Sequence, residues 1–103
     1  MVIGVLQFEL TIEHARCLKD KRRVVSSIKD RLRREYNVTV AETARLDEHR
    51  VAQLGLAVVS NSVPVVQSVL DRILEKLKNA RDCVLSDHHT EILTGYQMSP
   101  VKR

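Results

Sequence analysis

Positive charge is concentrated in one short stretch of this chain. Nine of its seventeen Lys and Arg residues lie between Arg16 and Arg34. An Arg guanidinium pairs with phosphate through two parallel hydrogen bonds, and a Lys ammonium adds a point charge, so this stretch is suited to binding a polyanion. Such contacts recognise phosphate groups and carry no information about base sequence. The predicted nucleic-acid-binding residues are Lys19, Arg22, Arg23, Lys29, Arg33 and Arg34.

The same bases also fit a second interpretation, in which they only keep a helix face solvated. Asp20, Asp30 and Glu35 lie at spacings that allow ion pairs three or four residues along a helix. Three acids cannot neutralise nine bases, yet the net charge of +4 is modest, and a basic balance alone does not establish a partner. The excess of bases predicts binding of nucleic acid or another polyanion through this stretch. The alternative is a homodimeric protein-interaction or regulatory module without nucleic-acid binding.

The other reactive residues do not form a recognisable catalytic or metal-binding pattern. The adjacent His88 and His89 point to opposite faces of a strand and cannot both bind one ion easily. No glycine-rich phosphate loop, nucleophile elbow or paired-carboxylate motif is present. The sequence therefore predicts that the protein is not an enzyme and needs no metal and no cofactor. It identifies no small-molecule substrate, and a hydrolase without a visible motif is the third hypothesis.

Composition predicts the cellular compartment of the protein and argues against one mode of RNA binding. No apolar run approaches the roughly 20 residues that cross a bilayer, and the first ten residues continue into an alternating strand instead of a cleavage site. Cys17 and Cys83 are expected to be reduced thiols of a cytoplasmic protein, although one bridge between them stays open at this stage. The three aromatic residues include Phe8, which faces inward, so a sheet that stacks RNA bases is disfavoured.

The basic stretch is predicted to form a helix over residues 18–36. At about 100° per residue, its apolar side chains fall within one arc and the predicted nucleic-acid-binding residues fall on the opposite side. Asn37 is expected to end the helix in the left-handed conformation. Lys21 is the exception, because it falls inside the apolar arc, and it either extends past the sheet edge or pairs with Glu42 or Glu9. The apolar residues are Leu18, Val24, Val25, Ile28, Leu32 and Tyr36.

The remaining elements complete the order β-α-β-β-α-β. Strands are predicted at residues 2–13, 38–43, 49–60 and 83–93, the last with a possible bulge. A second helix, capped by Asn61 or Ser62 and with Pro64 in its first turn, extends to about Asn79. This order predicts an α+β protein of the ferredoxin-like class, a four-stranded antiparallel sheet with both helices on one face. One domain is expected at residues 1–95, followed by a flexible tail at residues 96–103.

The other face of the sheet is predicted to meet a second copy of the chain. Its outward residues are more apolar than those of a solvated sheet face, so a homodimer would bury them. The predicted dimer interface consists of Ile3, Val5, Val51, Ala57 and Val59.

Four spaced segments resemble a known bacterial family. They are CLKDKRR at residues 17–23, DRL at 30–32, YNVTVAE at 36–42 and LGLAVVS at 54–60. The resemblance is to the YlxP-like family of small proteins of unassigned function, and it extends over about residues 1–93. It implies a ferredoxin-like fold. Because members are often encoded beside translation and ribosome-maturation factors, the resemblance also suggests a connection with RNA or the ribosome. Together with the basic stretch, it predicts a non-enzymatic RNA- or ribosome-associated factor.

Two positions depart from the pattern of that family. The family usually has Ser at position 17, where it would form a capping box with the acid three residues on. Cys17 is a poor acceptor, so only Asp20 remains of that box, and the helix is expected to start less firmly. Many members have Trp at position 49, and His49 stands there in this chain. Any contact made by that Trp is expected to be altered here.

Overall fold

Alternating apolar residues form the strands of this protein, and apolar residues at helical spacing form its helices. The computed structural model describes residues 1–99, and residues 100–103, which belong to the predicted tail, lie outside the described residues. Every element begins and ends within two residues of its predicted position. In chain order the elements are β1 (Val2–Thr11), α1 (Leu18–Glu35), β2 (Thr39–Ala44), β3 (Val51–Ser60), α2 (Val63–Lys78) and β4 (Val84–Leu93).

The four strands form one sheet in the order β2-β3-β1-β4, with antiparallel pairing between all neighbours. α1 packs against β2 and β3, whereas α2 packs against β1, β3 and β4. The predicted ferredoxin-like fold is confirmed. Because both helices cover the same face of the sheet, the opposite face is left open.

Even-numbered residues of β1 face the helices, as predicted. Leu6 and Leu10 are fully buried, and Phe8 is 3% exposed. α2 lies so close to β1 that a Cβ atom at Gly4 would clash with Val66 and would lie 2.9 Å from Cγ1 of Val58. Glycine is required at this position because no side chain fits between the strand and the helix.

Each edge strand carries one extra residue. In β4 this residue is Ser86, where the pairing with β1 shifts between Glu9 and Leu10. The predicted bulge of this strand is confirmed, and it accounts for the change of apolar phase along β4. In β2 the extra residue is Thr43, where the pairing with β3 shifts. Both bulges increase the local twist at the same end of the sheet.

The end of α1 differs from the prediction. Tyr36 ends the helix in an extended conformation, with φ −132° and ψ 147°, and its N–H donates to the carbonyl oxygen of Leu32 at 2.9 Å. Asn37 is not left-handed, because the chain passes straight from the extended Tyr36 into β2. Among residues 1–99, the non-glycine residue with a positive φ is Arg45, at 59°, in the turn between β2 and β3.

Candidate phosphate-binding surface

One buried stripe holds α1 against the sheet. The stripe matches the predicted apolar arc in its central members, whereas Leu18 and Tyr36 at the two ends are only half-buried. The opposite side of the helix is therefore fixed in orientation and faces solvent. The buried residues of α1 are Lys21, Val24, Val25, Ile28 and Leu32.

At the start of α1, Asp20 bonds one residue before the position that a capping box would use. Cys17 is the N-cap residue, and its side chain makes no capping hydrogen bond. The Oδ2 atom of Asp20 accepts a hydrogen bond from the backbone N–H of Arg16 at 2.9 Å. This hydrogen bond, together with the nearby charge of Arg23, holds the pKa of Asp20 below its ordinary value. The carboxylate is thus engaged with the helix start.

The basic ridge is the set of six predicted nucleic-acid-binding residues on α1. Lys29 is half-buried and the other five are exposed. Within residues 1–99, no ridge residue has an acidic oxygen within the 4.0 Å of an ion pair. Glu35 pairs instead with Lys76 of α2. The Nζ atom of Lys76 also lies 6.0 Å from the ring centroid of Tyr36. In the described part of the chain no ion pair neutralises the ridge, although the carboxylates of Asp20 and Asp30 lie near it. Its members are Lys19, Arg22, Arg23, Lys29, Arg33 and Arg34.

Arg33 has a structural contact that the sequence did not reveal. Its Nη2 atom donates to the carbonyl oxygen of Val40 at 3.0 Å, so it covers part of the free edge of β2. Arg33 and Arg34 also line a shallow depression that contains Asp30. The carboxylate of Asp30 lowers the attraction for phosphate at this end of the ridge.

Lys21 pairs with Glu42, one of the two acids predicted for it. The lysine is 1% exposed, and its Nζ atom lies 2.8 Å from Oε2 of Glu42. Nζ also donates to the carbonyl oxygens of Arg45 at 2.9 Å and Val51 at 3.0 Å. No hydrogen bond is well aligned on Oε2 of Glu42, so charge attraction holds this carboxylate. The positive charge of Lys21 is therefore neutralised inside the fold and is not available to bind a ligand.

A polar cluster on the open face of the sheet was missed by the sequence analysis. Glu9 accepts hydrogen bonds from Arg45 at 2.9 Å and from Gln53 and Ser86 at 3.2 Å each. These contacts, with that from Gln53 the largest, lower the pKa of the Glu9 carboxyl. Arg45 also pairs with Glu48 at 2.9 Å. Alternation along β1 places Glu9 on this face, but its partners come from the β2–β3 hairpin and from β4, which meet it only in the folded sheet.

A groove between α1 and the connection from α2 to β4 was also missed. We call it the α1 groove, and it has a volume of about 300 Å³. Arg31 of α1 and Arg81 of the connection line it, together with Asp82 and the buried Cys83. Burial, aided by Asp82 and opposed by Arg31, raises the pKa of the Cys83 thiol. No local sequence signal joins Arg31 to Arg81, because their proximity depends on packing across the whole fold.

The open face brings together four of the five predicted dimer residues. Ile3 pairs with Val59, and Val5 pairs with Ala57, so these four residues form one patch at one end of the sheet. Val51 lies at the opposite end of β3 and is not part of that patch. Val59 is 59% exposed, whereas the other members are half-buried.

The cysteines and histidines are dispersed. Cys17 is exposed and Cys83 is buried, and both are free, so the bridge that the sequence left open is not formed. His88 pairs with a residue of β1 that faces the helices, and His89 pairs with one on the open face. Within residues 1–99, no three His, Cys, Asp or Glu side chains gather as a metal site. None of the helices in this range combines the length and apolarity needed to span a membrane.

Comparison with known proteins places the chain in a family. Residues 3–90 match the family model described as protein of unknown function (DUF503). The chain belongs to the DUF503 family. This DUF503 protein is also similar to the uncharacterized protein YlxP of Bacillus subtilis (strain 168), with 33% identity over 73 residues. That match covers 71% of the chain and 79% of the relative, and it confirms the YlxP-like resemblance.

Two solved structures of designed proteins share the fold of this DUF503 chain. The designed protein Foldit4 matches with a TM-score of 0.56 and 15% identity, covering 93% of the chain and 100% of the design. The designed protein LFR1 1, described as having a ferredoxin fold, matches with a TM-score of 0.50 and 20% identity. This match covers 100% of the chain and 95% of the design. At such low identity these similarities concern the fold alone.

Proposed function

We propose that this DUF503 protein is a non-enzymatic, cytoplasmic factor that binds RNA or the ribosome through the basic ridge. One observation carries the proposal: the six ridge residues form no ion pair among residues 1–99, while Glu35 of the same helix pairs with Lys76 of α2. A fixed row of uncompensated bases attracts phosphate groups.

The ridge is long enough to follow a nucleic-acid backbone. Lys19 and Arg34 are fifteen residues apart, which corresponds to about 22 Å along a helix at 1.5 Å per residue. Lys19, Arg22 and Arg23 lie in the first turns of α1, where the helix dipole adds to their positive charge. Asp30 lies beside Arg33 and Arg34, and the charge of Asp20 acts on Arg23, so we expect the strongest phosphate contacts at Lys19 and Arg22.

The test compares two variants with the same loss of charge. The ridge variant carries Arg22→Gln, Arg23→Gln and Arg34→Gln, and it keeps Arg33 because of the hydrogen bond to Val40. The control variant removes three exposed bases outside α1 and carries Arg50→Gln, Arg72→Gln and Lys78→Gln. The affinity for RNA of unrelated sequences is measured at several salt concentrations.

The ridge variant should bind all the RNAs more weakly than the control variant does. Each lost contact should lower the log–log salt slope by about 0.7 for single strands or about 0.9 for duplex, since each contact releases counterions. The loss should be alike for unrelated sequences, because phosphate contacts do not read bases. If the ridge variant keeps the slope and affinity of the parent, the ridge is only solvated surface.

A second candidate function is favoured by the apolar end of the open face. Ile3, Val5 and Ala57 remain half-buried and Val59 remains exposed in a single chain, as expected for a surface that meets another protein. In this alternative the chain is a homodimeric protein-interaction or regulatory module, and it does not bind nucleic acid.

A further inference from the structure

The α1 groove combines an apolar floor with a charged rim. Val24, Ile28 and Cys83 lie in it, and each is at most 9% exposed. At the rim, Arg31, Arg81 and Asp82 form no ion pair with one another or with other described residues, although they line the same space. Most of the lining is polar or charged, so the groove suits a ligand that combines a flat apolar face with a charged group.

The groove is continuous with the surface that carries the ridge. Ser27 lines both the α1 groove and the neighbouring depression formed with Arg33 and Arg34. A strand whose phosphates follow the ridge therefore passes the mouth of the groove. The groove volume of about 300 Å³ is at the lower end of the range for ligand pockets, which runs from roughly 300 to 1,000 Å³.

We infer that the α1 groove receives one unpaired nucleotide of the RNA that lies on the basic ridge. This inference rests on the proposed function. The base lies on the floor formed by Val24 and Ile28, and its phosphate lies between Arg31 and Arg81. Asp82 repels phosphate and accepts a hydrogen bond from an N–H group on the edge of the base. A paired base cannot enter, because its edge is occupied and it stays stacked in the helix.

The experiment uses two RNA hairpins that differ by one nucleotide. One has a fully paired stem, and the other has the same stem with a single bulged nucleotide. Their dissociation constants are measured at one salt concentration for the parent protein and two variants. The groove variant carries Arg31→Gln with Arg81→Gln, and the charge-matched control carries Arg50→Gln with Arg72→Gln.

The parent should bind the bulged hairpin roughly tenfold more tightly, which is about what one hydrogen bond to a charged group such as Asp82 contributes. The control variant should keep this preference. The groove variant should lose it and bind the two hairpins equally. In a ¹⁵N-labelled parent, the backbone amides of residues 79–83 should shift with the bulged hairpin and not with the paired one, a readout that needs no variant.

The outcomes separate the inference from the function on which it rests. If the parent binds both hairpins with the same affinity, the groove takes no nucleotide, while phosphate binding by the ridge stands. If the groove variant keeps the preference, or if the amides of residues 79–83 do not shift, the inference is overturned. If the parent binds neither hairpin, the proposed function fails and the inference fails with it.

Discussion

Lys21 carries a buried charge, and its contribution to stability depends on its partner Glu42. Its ammonium has three N–H groups, and three oxygen atoms lie within 3.0 Å, those of Glu42, Arg45 and Val51. Removing only the lysine leaves the Glu42 carboxylate, which is 17% exposed, without its counter-charge. Breaking one side of such a pair costs about 3 to 5 kcal/mol, and the partial exposure of Glu42 favours the lower end.

We therefore expect Lys21→Met to lower the free energy of unfolding by about 3 kcal/mol. The double variant with Lys21→Met and Glu42→Leu should recover part of this loss, because no unpaired carboxylate remains. Urea titration of both variants would measure the difference. A double variant as unstable as the single one would mean that the two carbonyl hydrogen bonds of Lys21 dominate.

At the scale of single residues, the sequence predicts on which side of a helix each residue lies, because the helical spacing alone determines that side. Lys21 falls on the apolar side of α1 by spacing, and this placed it near Glu42 before the fold was known. The left-handed Arg45 could not be predicted in this way. Arg45 lies in the turn that follows the extra residue Thr43, and its carbonyl oxygen accepts a hydrogen bond from Lys21. Both features depend on contacts between elements.

At the start of α1, this chain departs from the family pattern, because Cys17 stands where the family usually has Ser. Cys17→Ser places an oxygen acceptor at the N-cap position, where the thiol makes no capping hydrogen bond. We expect this change to stabilise the protein by about 0.5 to 1 kcal/mol. Cys17→Ala is the control, because it removes the thiol without adding an acceptor. Thermal unfolding that shows no gain for Ser over Ala would contradict this explanation of the helix start.

At the scale of elements, local periodicity predicted the helices, the strands and the bulge of β4. It could not predict contacts made between elements. Arg33 donates to Val40 because α1 lies over the edge of β2, and Arg31 meets Arg81 because the α2–β4 connection returns to α1. The basic ridge was predictable as a helix face, whereas the α1 groove needed the folded chain.

At the scale of the whole molecule, the open face is large enough for self-association. Three strands of ten residues and one of six, at about 3.3 Å per residue and about 4.8 Å between strands, give an area of about 600 Å² per chain. A dimer through this face would bury about 1,200 Å² in total, which is the lower limit for stable interfaces. Because the helices lie on the opposite face, such a dimer would present two basic ridges on its two outer sides.

We expect a homodimer that Val5→Lys separates, because the change places a charge in the apolar patch around Ala57. Val65→Lys is the control, since Val65 is 51% exposed on α2, away from the open face. Sedimentation at micromolar concentrations would measure both variants. A parent that is monomeric at every concentration, or a Val5→Lys variant that remains dimeric, would contradict this arrangement.

The most direct test of the central claim is cross-linking in cells. Tagged forms of the parent, the ridge variant and its charge-matched control would be cross-linked by ultraviolet light, purified under denaturing conditions, and the attached RNA sequenced. If the basic ridge binds RNA phosphates, the parent and the control should recover the same RNAs, and the ridge variant should recover several-fold less of each. Recovery of no RNA by the parent, or equal recovery by the ridge variant, would contradict the account.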